Sequence, residues 1–227
     1  LGDVYKRQVN NSIRARVVLL PANSVGDNII FHAEGGDVVL PLLRQQKDGE
    51  ECLSLSDFVK PCGTDYVGAF AVTAGRGIEE IISGYQQTDD FKALLSQSLS
   101  DRLAEAAAEL LHARVRREVW GYAPDERIDR QRALRAQYRG IRPAAGYPSL
   151  PDQSAIFAIE KIVGFANVGI AVTPNGAMSP ASSVSGLMIA HPESRYFMIG
   201  AIAPDQRRDY AARCGITEEE LSKWLPK

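Results

Sequence analysis

The stretch from Asp89 to Trp120 repeats apolar residues at helical spacing: Phe91, Leu94, Leu95, Leu99, Leu103, Ala106, Ala107, Leu110, Leu111 and Val115. Recurrence every three or four residues predicts one long amphipathic helix with that stripe turned toward a core. Strand-like patterns lie on both sides of this stretch. Upstream, Ile13, Ala15, Val17 and Leu19 alternate with Arg14 and Arg16, which predicts a half-buried strand over Ser12–Leu20. Pro21–Asp27 reads as a turn-rich loop, Asn28–His32 as the next strand, and Glu34–Asp37 as a hairpin turn into Val38–Leu40. Tyr66–Thr73 is strongly β in composition.

Beyond the long helix, a second helix is expected over Asp129–Arg139, stopped by Gly140. A third is expected from an Asp152 N-cap through Val163, closed by Gly164. Strands return at Gly169–Thr173, Val184–Ala190 and Arg195–Ala203. The capping-box pattern Thr217–Glu220 opens a last helix that includes Leu221 and Trp224. Strands cluster at the two ends with helices between, so the βαβ alternation of a doubly wound fold is missing. The expected class is α+β, a mainly antiparallel twisted β-sheet with packed helices.

Length and composition narrow the functional classes. A chain of 227 residues suits one large domain, and 45% hydrophobic with 24% charged residues is ordinary for a folded protein. The net charge of −2 gives no whole-molecule basicity with which to hold nucleic acid, so no nucleic-acid partner is expected. No apolar run reaches the roughly 18 to 20 residues that span a bilayer, so no membrane association is expected and a cytoplasmic location is. Cys52, Cys62 and Cys214 are too few and too scattered for a disulfide scaffold or a zinc site, and no metal site is expected. Leu1–Gln8 has no starting Met, no apolar h-region and no periodicity that carries on past Val9. It is expected to be a non-native scar, with the domain proper over residues 9–227 and truncated at its N-terminus.

The most unusual segment is Arg139–Gln153, with three prolines, two glycines and a Tyr set between Gly146 and Pro148. Such a rigid loop on a scaffold suits a binding site. Arg142, biased toward extended geometry by Pro143, can offer a planar fork to a carboxylate or phosphate. The same pattern also suits a plain helix-to-helix connection carrying a surface arginine. On the long helix Asp101, Arg102, Glu105, Glu109 and His112 fall off the apolar stripe. They read as a solvated polar face, or in the case of Glu105 as a carboxylate facing a ligand cation. Ala181–Leu187, with Ser194–Phe197 after it, joins small hydroxyl residues to two aromatics and would admit a flat ligand. Nine arginines and four acids between Arg114 and Arg142 make a basic middle, which could meet nucleic acid or an acidic protein partner but is by default a solvated helical face. No catalytic spacing surrounds His191, and no phosphate-cradling fingerprint is present.

Seven blocks in order resemble one known family: Pro21–Asp27, Leu55–Pro61, Asp65–Thr73, Asp101–Ala106, Trp120–Pro124, Gly140–Pro148 and Ser183–Gly186. The family is the C-terminal activation domain of cobalamin-dependent methionine synthase. The resemblance runs from about Arg14 to Pro226, and Gly-Ile-Arg-Pro-Ala-Ala-Gly-Tyr-Pro is its most specific block. It implies a C-shaped α+β domain that binds S-adenosylmethionine, the methyl donor for reductive remethylation of cob(II)alamin. The implied activity is that of a methyltransferase, methionine synthase, within the full-length protein; the domain alone is not expected to make methionine. The implied partners are a cobalamin-binding domain of the same protein, which holds the cobalamin, and flavodoxin or a flavin reductase as electron donor. The other reading is a non-catalytic module, encoded separately, that docks on a corrinoid protein.

Carried over residue by residue, Arg142 would pair the ligand carboxylate and Glu105 would face its cationic end. Ala144, Gly146 and Tyr147 would supply backbone contacts and a wall. Tyr196 and Phe197 fall where the family has paired tyrosines beside the adenosine, and Phe197 lacks the hydroxyl. No residue is assigned as catalytic. After Tyr147 the family often has a Cys and a His, where this chain reads Ser149-Leu150-Pro151-Asp152-Gln153. The family domain also begins several tens of residues earlier, with an acidic ligand contact in that segment.

Overall fold

The computed structural model describes residues 13–74 and 77–226. The stretch Leu1–Gln8 and the predicted first strand residue Ser12 lie outside the described residues. Four strands come first: β1 (Arg14–Val25), β2 (Asn28–Phe31), β3 (Val38–Pro41) and β4 (Tyr66–Thr73). Four helices follow: α1 (Gly77–Gln86), α2 (Asp90–Arg114), α3 (Arg130–Leu134) and α4 (Ala155–Val163). The chain closes with β5 (Ala171–Val172), β6 (Met178–Ser179), β7 (Ser183–Met188), α5 (Pro204–Cys214) and α6 (Glu218–Leu221). A curled five-stranded sheet in the order β3-β2-β1-β4-β7 is antiparallel throughout, and β5 pairs with β6 separately. The architecture is α+β, as the order of patterns predicts.

The sheet curls at β1, which changes partner along its length. Arg14 to Pro21 pair with β4, and Ala22 to Val25 with β2. The segment expected as a Pro21–Asp27 loop is therefore mostly strand. Pro21 sits at the change of partner, where a residue without an N–H is tolerated. The turn itself is only Gly26 and Asp27, with Gly26 at a φ of 56°.

β4 is buried on both faces, which is why it reads as a continuous β run rather than an alternation. On one face Val67, Ala69 and Ala71 pack with Ile156, Ile159 and Val163 of α4 and with Phe165. On the other, Phe70 and Val72 pack with Met188 of β7 and with Ala108 and Val115 at the end of α2. Each large aliphatic side chain so enclosed contributes about 1.5–3 kcal/mol.

The long helix forms where predicted, capped by the Asp89 side chain on the Lys92 N–H, but it is rotated from the expected orientation. Phe91, Leu94, Leu95, Leu99, Leu103 and Leu110 are exposed, and Ala93, Ser96, Ser100, Ala104, Ala108 and His112 face inward. Small side chains let the helix lie close to the sheet, whose own Phe70, Val72 and Met188 fill the space between. His112 is thus fully buried rather than part of a solvated face. The helix ends in a π turn, Val115–Val119, closed by the Trp120 N–H donating to the Val115 carbonyl.

Other expectations change at particular residues. The helix over Asp129–Arg139 is only α3; Arg135 leaves helical geometry, and Ala136 has a φ of 50°. Gly140, at φ 82°, marks a close approach rather than a helix cap: a Cβ there would lie 2.7 Å from the Ile189 carbonyl oxygen. Ser154, not Asp152, is the N-cap residue of α4, although an Asp152 carboxylate oxygen accepts from the Ser154 N–H at 2.7 Å. Gly164 closes α4 as predicted, at φ 68°. The strand at Gly169–Thr173 shrinks to β5, and the one expected at Val184–Ala190 forms as β7, Ser183–Met188.

Arg195–Ala203 belongs to no strand; its backbone is satisfied by loop and side-chain groups instead. Ser149 Oγ donates to the Phe197 carbonyl at 2.6 Å, Gln45 Nε2 to the Met198 carbonyl at 2.7 Å, and the Ile199 N–H reaches the Pro148 carbonyl at 3.0 Å. The Thr217–Glu220 capping box is present and opens α6, with Trp224 beyond its end. No helix among the described residues is long and apolar enough to cross a membrane.

Candidate functional site

The proline-rich loop after α3 lies antiparallel along β7, on the side away from β4. Ile141 bridges Ile189 and Ala144 bridges Gly186, with the Leu187 N–H donating to the Pro143 carbonyl at 2.8 Å. The sheet edge is covered in this way, and the loop gains the rigidity of a strand. Beyond Ala144 it folds into a tight turn in which the Gly146 N–H donates to the Leu150 carbonyl and the Leu150 N–H to the Tyr147 carbonyl, both at 2.8 Å. Gly146 has a φ of 82°, and a Cβ there would collide with the Gln153 side chain. Glycine is required at that corner.

Between this loop, α2 and the Tyr196–Met198 segment lies a cavity of about 490 Å³. Of the residues singled out by sequence, Glu105, Arg142, Ala144, Tyr147, Tyr196 and Phe197 all line it, together with Pro143, Pro148, Ser149, Val184 and Met198. Gly146 lines an adjoining hollow of about 530 Å³ that shares the Tyr147, Pro148 and Met198 wall. Glu105 therefore reaches a concave site rather than open solvent. The rest of the basic middle divides: Arg116 is fully buried, while Arg127, Arg132 and Arg139 border a separate polar hollow.

Arg142 is the electrostatic centre of the cavity. Its Nη2 lies 3.3 Å from Glu109 Oε2 and 3.7 Å from Glu105 Oε2, and its side chain is 16% exposed. Its backbone N–H donates to the Tyr196 hydroxyl at 3.0 Å, tying the loop to the aromatic segment. Burial opposes the charge on Arg142, but Glu109 leads the groups that hold its pKa above the ordinary value.

Behind Arg142 stands a cluster that includes Glu109 and His112, which the sequence pattern places on a solvated face. The Tyr138 hydroxyl donates to Glu109 Oε2 at 3.3 Å. Arg116 Nε donates to Glu126 Oε2 at 2.7 Å, and its guanidinium lies 4.0 Å from the centre of the Tyr138 ring. His112 packs edge-on to Tyr138, with Nε2 3.4 Å from the Tyr122 hydroxyl. Burial, reinforced by Arg116 and Arg142, pushes the His112 pKa down to about 2, so the imidazole is neutral. Burial also raises the phenol pKa values of Tyr122, Tyr138, Tyr196 and Tyr147. The available signal was the spacing of Glu105, Glu109 and His112 on one side of the long helix, visible once its true inward face is known.

Chemically, the cavity offers one guanidinium, one carboxylate, aromatic rings and backbone groups of a fixed loop. That set matches a zwitterionic ligand that also carries a flat ring. The sequence matches a family described as "Vitamin B12 dependent methionine synthase, activation domain" over residues 3–215. Among solved structures it is similar to one described as "Crystal Structure of the MetH Reactivation Domain bound to AdoHcy". The two share 38% sequence identity with a TM-score of 0.91, and the match covers 98% of this chain and 73% of that one.

Proposed function

The chain belongs to the activation-domain family of vitamin B12-dependent methionine synthases, and from that membership we propose that its cavity binds S-adenosylmethionine for reductive remethylation of cobalamin. The observation that carries this reading is the meeting of Arg142, Glu105 and the Tyr196 and Phe197 rings around one cavity. The similar MetH reactivation domain was solved with AdoHcy, which is S-adenosylmethionine after loss of its methyl group. Arg142 pairs the ligand carboxylate, Glu105 faces the ammonium and sulfonium end, and Tyr196 and Phe197 flank the adenosine. Ala144, Gly146 and Tyr147 fix the ligand through the backbone and wall of the loop.

One electron from flavodoxin or a flavin reductase and the methyl group of S-adenosylmethionine convert cob(II)alamin, held by a neighbouring domain, into methylcobalamin, and S-adenosylhomocysteine leaves. Methyl transfer moves no proton, so the cavity needs no general base. Its tyrosines, with phenol pKa values raised by burial, act as neutral walls and hydrogen-bonding groups. The domain contributes orientation and proximity, which suffice to make a bimolecular transfer effectively unimolecular.

The activity belongs to a cytoplasmic methyltransferase of which this chain is the reactivating part. The Arg127, Arg132 and Arg139 hollow suits an acidic electron-donor protein. Calorimetric titration with S-adenosylmethionine and S-adenosylhomocysteine tests the core of the reading; absence of binding to both would overturn it. Reactivation of a cobalamin domain by flavodoxin should slow as salt is raised, and a salt-independent rate would remove the arginine surface from the scheme.

A further inference from the structure

Glu109 and Arg116 touch Arg142 from behind, or stand just beyond it, and neither lines the ligand cavity. The charges alternate along one path: Glu126, Arg116, Glu109 and Arg142. Arg116 is fixed at one end by the 2.7 Å bond to Glu126 and by the face of Tyr138. The π turn over Val115–Val119 begins beside it and brings it inward at a point where a regular helix would continue its ordinary side-chain spacing. Glu109 is held at Oε2 by both Arg142 and Tyr138, while its Oε1 is buried without a hydrogen bond. That oxygen stands 4.0 Å from Arg116 Nη1, which is equally buried and unbonded. Arg142 Nε is a third such atom. A cationic side chain this enclosed is costly unless a carboxylate fixes it, and Glu109 is the nearer of the two carboxylates that face Arg142.

We propose that Glu109 is a positioning residue: backed by Arg116, it holds the Arg142 guanidinium at the cavity so that the guanidinium meets the ligand carboxylate already oriented. The proposal rests on the ligand assignment above. Glu105, which lines the cavity, is free to face the ligand cation because Glu109 carries the structural pairing of Arg142. Preorganisation of this kind raises affinity by removing the cost of ordering a long side chain at the moment of binding.

The test compares two ligands on the full chain. S-adenosylhomocysteine carries the carboxylate that Arg142 would meet; 5′-methylthioadenosine keeps the adenosine and thioether but lacks the amino-acid end. Glu109→Gln keeps the shape and removes the charge. It should weaken S-adenosylhomocysteine about tenfold while changing methylthioadenosine by less than about twofold, because only the first ligand uses Arg142. Loss of both ligands in parallel would mean a merely structural role, and unchanged or tighter S-adenosylhomocysteine binding would overturn the proposal outright. If Glu109→Gln does not fold, Tyr138→Phe serves instead, since it removes one donor to Glu109 and retains the ring beneath Arg116. The same selective loss, about threefold, is then expected, and equal loss of both ligands counts against the proposal. Wild-type chain that binds neither ligand would overturn the ligand assignment itself, and the proposal with it.

Discussion

Gly186 of β7 and Ala144 of the cavity loop face each other across a single antiparallel bridge, closely enough that the loop lies on the bare backbone of the strand. A Cβ on Gly186 would run into the Pro143 carbonyl oxygen and come within 2.9 Å of Ala144 Cα. Both neighbours are backbone atoms, so neither can swing aside. Gly186→Ala should therefore shift the loop that carries Arg142 and Tyr147. Overpacking of this sort costs about 1–3 kcal/mol. Thermal unfolding should fall by several degrees, and calorimetry should show weaker S-adenosylhomocysteine binding. A variant with wild-type affinity would show that the loop finds its place without the sheet edge.

Arg142→Lys separates charge from geometry. Lysine keeps the positive charge but offers a point donor in place of a planar fork. With Glu105 and Glu109 both facing this position, the shorter-reaching ammonium should settle between them and leave the ligand carboxylate poorly matched. Affinity for S-adenosylmethionine should fall about tenfold in Arg142→Lys and about a hundredfold in Arg142→Ala, the scale of one and two lost charge-assisted hydrogen bonds. Equal affinities for Lys and Arg would mean that charge alone recruits the ligand.

The parts of this fold legible in sequence were those in which local chemistry and tertiary environment agree. β4 is apolar because both its faces are covered, Gly164 ends α4 because a left-handed residue is needed there, and Thr217 with Glu220 caps α6. The proline-rich loop was legible as rigid, and with the family resemblance six of the seven residues named for the site converge on one cavity. The inward face of α2 was not, because it is made of Ala and Ser, and a stripe of leucines outranks small residues in any reading by hydrophobicity. α5 was missed for the related reason that only Tyr210 and Ala211 of it are buried, although Pro204 at its start and Gly215 after its end were available signals. The Glu109–Arg116 pairing depends on the π turn that continues α2, which has no sequence period.

His112 makes stability depend on pH. Its folded pKa of about 2 lies below the roughly 6.5 of an unfolded histidine. Below pH about 6.5 the unfolded chain therefore binds a proton that the folded chain refuses, and stability is lost as pH falls through that value. The expected slope is about 1.4 kcal/mol per pH unit between roughly pH 6 and 4. Nearby Arg142, whose pKa is raised, keeps its charge across this window, and Tyr122 and Tyr138, with phenol pKa values raised by burial, remain neutral. Denaturant unfolding of His112→Gln should show a slope smaller by about one proton than the parent chain. Identical slopes would mean that His112 is protonated in the folded state.

The two faces of α2 can be told apart by paired substitutions. Leu110 is 62% exposed, whereas Ala108 is fully buried against Phe70, Val72, Val115 and Met188. If the helix were oriented by its leucine stripe, replacing Leu110 would open a cavity and enlarging Ala108 would touch only solvent. The structure requires the reverse. Leu110→Gln should change unfolding free energy by no more than about 0.5 kcal/mol. Ala108→Leu should cost about 1–3 kcal/mol, since the added atoms must push the helix off the sheet. That displacement should also carry Glu105 and Glu109 away from Arg142, so Ala108→Leu should weaken S-adenosylhomocysteine binding while Leu110→Gln leaves it unchanged. Chemical denaturation and calorimetry on the two variants decide between the orientations, because the stripe and the structure predict opposite rankings.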